Sequence, residues 1–357
     1  MQSSKLSSDF FHALPKTDLH VHLDGSLRLE TILDLAKKDR IPLEASNVEE
    51  LKTLIKPGKT HKSLDDYLKG FEFTLKVLQT REGLYRAAYE LCEDSAKENI
   101  DYFEVRYSPV LHTQKGLTLP AIVEAVIEGL KDGQRDFKIE SGIIICGIRN
   151  ISPEVSLRMA ELAVAFKNRG VVGFDLAGAE YNYPAKDHVE AFALILSNNV
   201  NVTIHAGEAY GPESIRQALH HCGAHRIGHG VRLKEDGGLL NYVNDHRVPL
   251  EICPSSNVQT GAVKNIKSHP FKFYLDLGIR VAVNTDNRLI TDTTMTKEYE
   301  LLYNTFNLSP QNILDLVING IKSSFIPFEH KKWYLRDTKE KVIKLIEEHT
   351  GTNIRNI

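Results

Sequence analysis

The stretch TDLHVHLDGS, residues 17–26, carries His20 and His22 among apolar residues near the start of the chain. In an extended strand, side chains two positions apart point to the same face, so two imidazoles can bind one metal ion. Gly25 allows a sharp turn directly afterwards, which places the pair at the carboxyl end of the strand. Open α/β sheets and α/β barrels carry their sites at that end. The alternative is a surface strand that carries two histidines by accident.

The composition is that of a globular protein with no bias towards a charged partner. Of the 357 residues, 42% are hydrophobic and 25% charged, and a net charge of −3 gives no basic surface for nucleic acid or an anionic membrane. No run approaches the roughly 18 apolar residues of a membrane span. The four cysteines form no CxxC pair, which indicates free thiols in a reducing compartment. We therefore expect a cytoplasmic protein that binds a small neutral molecule, and neither nucleic acid nor a membrane. We also expect a monomer, although no sequence feature decides the oligomeric state.

Eight segments have the pattern of strands, and most are followed by the pattern of a helix. This alternation predicts one domain, residues 1–357, folded as a closed parallel (β/α)₈ TIM barrel. A doubly wound open sheet is the alternative, but no glycine-rich phosphate loop follows the first strand. One residue from each predicted strand serves as its marker: His20, Glu104, Ile144, Val172, Ile204, Ile227, Leu250 and Val281.

Additional helices are predicted outside this alternation. After the first strand we expect helices at Leu29–Lys38 and Gly83–Glu98. Between them, the apolar residues of segment Leu64–Leu78 recur every three or four positions, as in an amphipathic helix. Three further helices are predicted at the carboxyl end, where they would close and cover the barrel: Met295–Thr305, Ser309–Ser323 and Thr338–Glu348.

The predicted strand ends collect side chains that can bind a metal or move a proton. The fifth strand ends at His205 and is followed by Glu208, the sixth ends beside His229, and the eighth ends beside Asp286. Barrel enzymes build their sites from strand ends on one face, so these groups would meet there. Three imidazoles and a carboxylate suit Zn²⁺ and leave a position for a water whose pKa the metal lowers. The predicted ligands are His20, His22, His205 and Asp286.

Each of these residues also has a structural explanation. Asp286 could be a turn or N-cap aspartate, and His205 could be a core histidine with its hydrogen bonds satisfied. Glu208 could stabilise the first turn of the next helix instead of donating a proton from a desolvated carboxyl. His229, between two glycines, could bond a neighbouring carbonyl instead of stabilising developing charge.

Eight short motifs occur in register with the predicted elements: His20-Val-His22-Leu-Asp24-Gly25, Glu104-Val-Arg106-Tyr-Ser-Pro109, Asp175-Leu-Ala-Gly178, His205-Ala-Gly-Glu208, Gly228-His229-Gly230, Ser255-Ser-Asn257, Asn284-Thr-Asp286 and Lys322-Ser-Ser-Phe325. Any one of them is a weak signal. Taken together and in order, the set resembles the adenosine deaminase family from about Leu14 to Phe328.

The resemblance implies hydrolytic removal of the 6-amino group of adenosine and 2′-deoxyadenosine, giving inosine or 2′-deoxyinosine and ammonia in purine salvage. It implies one zinc ion on the four ligands, with Glu208 donating a proton to N1. His229 and Asp286 would position the hydroxide that attacks C6. Such attack breaks the aromaticity of the ring, so it needs both a strong nucleophile and a proton for N1. The implied substrate contacts are His22, Asp24 at the ribose 5′-hydroxyl, Gly178 at N3 and Asn287 at N7.

Two positions bear on the choice of substrate. Many family members have a second aspartate where this chain has Asn287, whose amide can donate directly to the acceptor N7. Related adenine and aminofutalosine deaminases carry a motif similar to His-Leu-Glu-Gly after the first strand. This chain has Asp24 in place of that glutamate, and the shorter side chain leaves space for a ribose. We therefore predict adenosine as the substrate. The alternatives are a deaminase of adenine or aminodeoxyfutalosine and a non-catalytic purine-binding relative. Segment Leu64–Leu78 is predicted either to cover the sugar as a lid or to pack on the barrel.

Overall fold

Eight parallel strands form one curved sheet in chain order in the computed structural model, which describes residues 6–55, 57, 58, 67 and 70–351. Each strand pairs in parallel with the next one along the chain. The strands are β1 (Lys16–His22), β2 (Ile100–Tyr107), β3 (Glu140–Ile148), β4 (Val171–Ala177), β5 (Asn201–Ala206), β6 (Arg226–His229), β7 (Leu250–Ile252) and β8 (Val281–Val283).

The end of β8 meets β1, and this contact brings the barrel to near closure. Val21 bridges Asp286, and the backbone N–H of Asp286 donates to the carbonyl of His20 at 2.7 Å. The side chain of Asn284 accepts the N–H of Leu19 at 2.8 Å. The predicted (β/α)₈ TIM barrel is confirmed.

Helices surround the sheet and follow the predicted alternation. They are α1 (Ser8–Ala13), α2 (Leu29–Lys38), α3 (Val48–Ile55), α4 (Phe71–Val77), α5 (Arg81–Lys97), α6 (Leu119–Phe137), α7 (Pro153–Phe166), α8 (Val189–Ser197), α9 (Pro212–His220), α10 (Gly237–Asp245), α11 (Pro254–Gln259), α12 (Phe271–Asp276), α13 (Met295–Phe306), α14 (Pro310–Ser323) and α15 (Phe328–Thr350). The additional helices after β1 and at the carboxyl end are present. Of the predicted segment Leu64–Leu78, residues 64–66, 68 and 69 lie outside the described residues, and α4 covers most of the rest.

The barrel interior holds a network of buried charges beneath the strand ends. Arg226 donates to Glu104 and to Glu251, each at 2.5 Å. Arg106 donates to Glu251 at 2.9 Å and to Asp175 at 3.0 Å. Because a buried charge without a partner costs several kcal/mol, the network holds its members in fixed positions. It therefore fixes Glu251 and Asp175, the two carboxylates that face the strand-end histidines.

Two further sequence predictions can be compared with the structure. Cys146 and Cys253 are buried free thiols, as are the other two cysteines. Within the described ranges, no helix combines the length and the apolar character needed to cross a bilayer.

Candidate active site

The four predicted metal ligands come together at the carboxyl ends of β1, β5 and β8. Nε2 of His22 lies 3.2 Å from Nε2 of His205, and Oδ1 of Asp286 lies 3.4 Å from Nε2 of His22 and 3.5 Å from Nε2 of His20. Two atoms bound to zinc at about 2.0–2.1 Å with a tetrahedral angle are about 3.4 Å apart. Buried Nε2 of His20 makes no hydrogen bond in the described part of the chain, which leaves its lone pair for an ion. The spacing and chemistry of this donor set therefore suit one zinc ion.

Buried carboxylates orient two of these imidazoles. Nδ1 of His20 lies 2.8 Å from Glu251, and Nδ1 of His205 lies 2.9 Å from Asp175. Metal-binding histidines usually donate their second ring N–H to such a group, which leaves Nε2 free for the metal. Burial lowers the pKa of His20 to about 4. Burial also opposes the charged form of His205, but the charge of Asp175 outweighs it and raises that pKa.

Asp286 adopts a backbone conformation that few non-glycine residues take. Its φ is +62°, and such strained residues persist mainly where the surroundings hold them in place, often at functional sites. Its carboxylate accepts a hydrogen bond from Oγ of Ser256 at 2.6 Å. Burial alone would raise the pKa of Asp286, but the neighbouring imidazoles, His20 first, hold it well below its usual range. The side chain thus faces the histidines and does not cap a turn or a helix.

Glu208 lies in the loop between β5 and α9, outside the first turn of that helix. The acidic residue of that turn is Glu213, so the structural explanation for Glu208 is wrong. Thr260 donates to Oε1 of Glu208 at 2.9 Å, and Oε2 lies 3.5 Å from Nε2 of His229. Burial raises the pKa of the Glu208 carboxyl, which favours its protonated form.

The loop that carries Glu208 is held by the carboxylate of Glu180, which sequence reasoning did not identify. This carboxylate accepts the backbone N–H groups of four consecutive residues at 2.6–3.2 Å: Gly207, Glu208, Ala209 and Tyr210. The sequence gives little sign of this contact because Glu180 lies in the connection after β4 and outside any motif. Its effect is to fix the backbone on both sides of Glu208.

His229 follows the same unusual backbone geometry as Asp286, with a φ of +63°. Nδ1 of its ring lies 3.0 Å from the side-chain amide of Asn257, so its partner is an amide and not the neighbouring carbonyl considered above. The ligand atoms of His20, His205, His229 and Asp286 all lie within 4.8 Å of one another. With His22, four imidazoles therefore lie close together. The distances alone would allow either His22 or His229 to be a metal ligand.

A cavity of about 300 Å³ opens above these groups, and its walls carry the remaining predicted site residues. Asp24 and Asn287 each present a buried Oδ1 without a hydrogen-bond partner in the described part of the chain. Burial raises the pKa of Asp24 to about 7. Gly178, with a φ of +91° that favours glycine, also lies in the cavity wall. A Cβ on Gly25 would come within 1.9 Å of Oδ1 of Asn287, so only glycine fits there.

Apolar side chains from the predicted amphipathic segment form another wall of this cavity. They are Tyr67, Phe71 and Leu75. These residues therefore face the cavity, so the segment does not only pack on the outside of the barrel.

Known proteins are similar to this chain over most of its length. The profile of the adenosine deaminase family matches residues 15–341. The adenosine deaminase of Clostridium acetobutylicum is 44% identical over 318 residues, 89% of this chain and 95% of that protein. A probable adenosine deaminase of Dictyostelium discoideum is 37% identical over 97% of this chain, which spans 45% of that relative's length. The solved adenine deaminase of Arthrobacter aurescens is 27% identical, with a TM-score of 0.86 over 92% of this chain and 99% of its own. This chain belongs to the adenosine deaminase family.

Proposed function

We propose that this protein is an enzyme that deaminates adenosine and 2′-deoxyadenosine hydrolytically, to inosine or 2′-deoxyinosine and ammonia. One observation carries the proposal: three imidazoles and a carboxylate are spaced for one metal ion, and His22, His205 and Asp286 of this set line a cavity of about 300 Å³ together with the buried carboxyl of Glu208. The 44% identity to a curated adenosine deaminase over 89% of the chain supports the same reaction.

We further propose one zinc ion per chain, held by His20, His22, His205 and Asp286. When bound, zinc lowers the pKa of a water molecule and so supplies the nucleophile for C6 of the purine. The 3.2–3.5 Å separations among the ligand atoms support this assignment.

The chain's own residues supply the proton and the positioning. Glu208, whose pKa burial raises, donates a proton to N1 while water adds to C6. His229 and Asp286 hold the attacking water by hydrogen bonds. Protonation at N1 lets the ring accept the new C6–O bond. The water gives up two protons as C6=O forms: one goes to the amino nitrogen, which leaves C6 as ammonia, and the other restores the Glu208 carboxyl. The Asn287 amide, whose Oδ1 faces Gly25, would donate an N–H to N7.

The cavity walls support a nucleoside and not a nucleotide or a free base. Among the described residues that line the cavity there is no lysine or arginine to pair with a phosphate. A free base would leave the buried Oδ1 of Asp24 without a partner, whereas a ribose hydroxyl satisfies it.

The four buried free thiols support a reducing, cytoplasmic location.

A substrate panel tests the proposed function. Adenosine, 2′-deoxyadenosine, adenine, AMP and aminodeoxyfutalosine are each followed by the loss of the aminopurine ultraviolet band. We expect kcat/KM for the two nucleosides to exceed that for AMP and adenine by about 10²-fold or more, because a buried polar group left unpaired costs that much. Turnover of adenine alone would refute the substrate assignment, and no turnover at all would favour the non-catalytic alternative.

Asp24→Ala should lower kcat/KM for adenosine by about 10–100-fold, since a hydrogen bond to a carboxylate contributes about 1.5–3 kcal/mol. The matched control is 5′-deoxyadenosine, which lacks the hydroxyl. Wild type should already use this compound poorly, and Asp24→Ala should change its kcat/KM by less than about threefold. Equal losses on both substrates would mean that Asp24 does not contact the 5′-hydroxyl.

A further inference from the structure

A run of buried hydrogen bonds leads from the backbone of α12 to His229. The N–H of Phe271 lies 3.0 Å from Nδ1 of His269, and Nε2 of His269 lies 3.2 Å from Oδ1 of Asn257. Nδ2 of Asn257 lies 3.0 Å from Nδ1 of His229. All three side chains are buried, and neither His269 nor Phe271 lines the cavity. His269 was not among the residues that the sequence identified.

The N–H of Phe271, the first donor in this run, determines which nitrogen of His269 and which nitrogen of His229 carries the proton. The N–H of Phe271 can only donate, so Nδ1 of His269 accepts and its proton lies on Nε2. That proton requires an acceptor, so Asn257 presents Oδ1 to His269 and Nδ2 to His229. Nδ1 of His229 therefore accepts as well, and a neutral His229 carries its proton on Nε2. A reversed Asn257 amide would set two donors against each other at His269.

We propose that His269 is a positioning residue for the deamination reaction: acting through Asn257, it keeps the proton of His229 on Nε2, where it is a hydrogen-bond donor towards the reacting groups. This inference rests on the proposed function for its kinetic consequence. The donor nitrogen lies 3.5 Å from Oε2 of Glu208, within the cluster of candidate ligand atoms. Burial lowers the pKa of His269 to about 3, so the ring stays neutral at physiological pH.

The same proton assignment decides which imidazoles can bind the metal. A ring nitrogen that carries a proton has no lone pair to offer. His229 is therefore a hydrogen-bond donor at the site, although its ligand atom lies within 4.8 Å of those of His20, His205 and Asp286. His22 then takes the remaining place among the ligands.

Two substitutions at His269 separate the positioning role from local structure. In His269→Asn the amide oxygen can replace Nδ1 and accept from Phe271, but the donor to Asn257 is lost. In His269→Gln the amide nitrogen can replace Nε2 and restore that donor. We expect His269→Asn to lower kcat on adenosine by about tenfold with KM within twofold, the effect of one lost hydrogen bond. His269→Gln should recover kcat to within about threefold of wild type.

The proton position can be read directly from the zinc-loaded protein labelled with ¹⁵N-histidine. We expect His229, assigned by comparison with His229→Gln, to show a proton on Nε2 and none on Nδ1, and the His269→Asn variant to show the proton shared between the two nitrogens. A proton on Nδ1 in wild type would overturn the proposal, as would unchanged kcat and an unchanged spectrum in His269→Asn. If that variant does not fold, Asn257→Asp serves instead. It accepts from His269 but cannot donate to His229, so a proton should appear on Nδ1, and its absence there would overturn the proposal.

The spectrum requires no substrate, so the two proposals can fail separately. A protein that does not deaminate adenosine but shows the expected protonation of His229 would refute the proposed function and retain the proton assignment. A deaminase with the opposite protonation would do the reverse.

Discussion

Glu208→Gln is expected to lower kcat on adenosine by about 10²–10⁴-fold, the usual contribution of a general acid, and to leave zinc content unchanged. Glutamine keeps the oxygen that accepts from Thr260 and leaves the backbone contacts with Glu180 intact. Its amide N–H can donate a hydrogen bond but is not acidic enough to transfer a proton to N1. Steady-state kinetics and metal analysis of the purified variant measure both quantities. Binding of 1-deazaadenosine, which has no N1, should be equal in wild type and variant.

Glu213→Gln is the matched control for this prediction. It makes the same chemical change in the exposed first-turn glutamate of α9, five positions along the chain. We expect its kcat to stay within twofold of wild type. Wild-type turnover in Glu208→Gln would remove Glu208 from the mechanism, and lost zinc or lost binding of 1-deazaadenosine would assign it a structural role instead.

Loss of the metal should lower kcat/KM by at least about 10³-fold, because the ion contributes several kcal/mol of transition-state stabilisation. Dialysis against a chelator followed by addition of zinc should abolish and then restore the activity of wild type. Asp286→Ala should show the same loss, a lower zinc content and no recovery on addition of zinc. The wild-type protein should also melt at a lower temperature after metal removal, since metal binding favours the folded state.

The chain offers a close control for Asp286→Ala. Asp292 also has a positive φ, +52°, but its side chain is exposed. Asp292→Ala therefore places alanine in the same strained backbone region without removing a candidate ligand, and we expect full activity. Full activity in the chelated wild type would refute the metal assignment, and equal losses in the two variants would attribute the effect to backbone strain.

Much of the fold follows from the sequence, because buried strands and amphipathic helices leave periodic patterns. The structure confirms α2 with the predicted bounds, and each of the eight marker residues lies within its strand. The exception is α15, which begins at Phe328 and not at Thr338 as predicted. Its first turns are rich in charge, and Phe328 and Trp333 are more than half exposed, so no buried stripe marks them in the sequence.

The site residues also fall into those that the sequence predicts and those that it does not. The candidate metal ligands and Glu208 can be predicted because each lies at or just after a strand end, where barrel enzymes build their sites. Glu251, Glu180 and His269 cannot, because their roles come from particular side-chain contacts in the folded chain that no strand-end position marks. Glu251 left one signal, a single carboxylate within the apolar run 248–253, where burial demands a partner. Glu180 and His269 are held by hydrogen bonds from backbone N–H groups. Every residue except proline carries such a group, so no sequence pattern marks these contacts.

The contact between β1 and the end of β8 has a consequence for the order of events during synthesis. Leu19 and Asn284, which this contact joins, are 265 positions apart. A growing chain thus exposes His20 and His22 early but gains Asp286 only when most of the barrel has been made. Contacts at such sequence separation form late and slow the folding of a domain. A chain that stops before residue 286 therefore lacks one of the four proposed ligands, and binding of the proposed zinc ion would report that the barrel has closed.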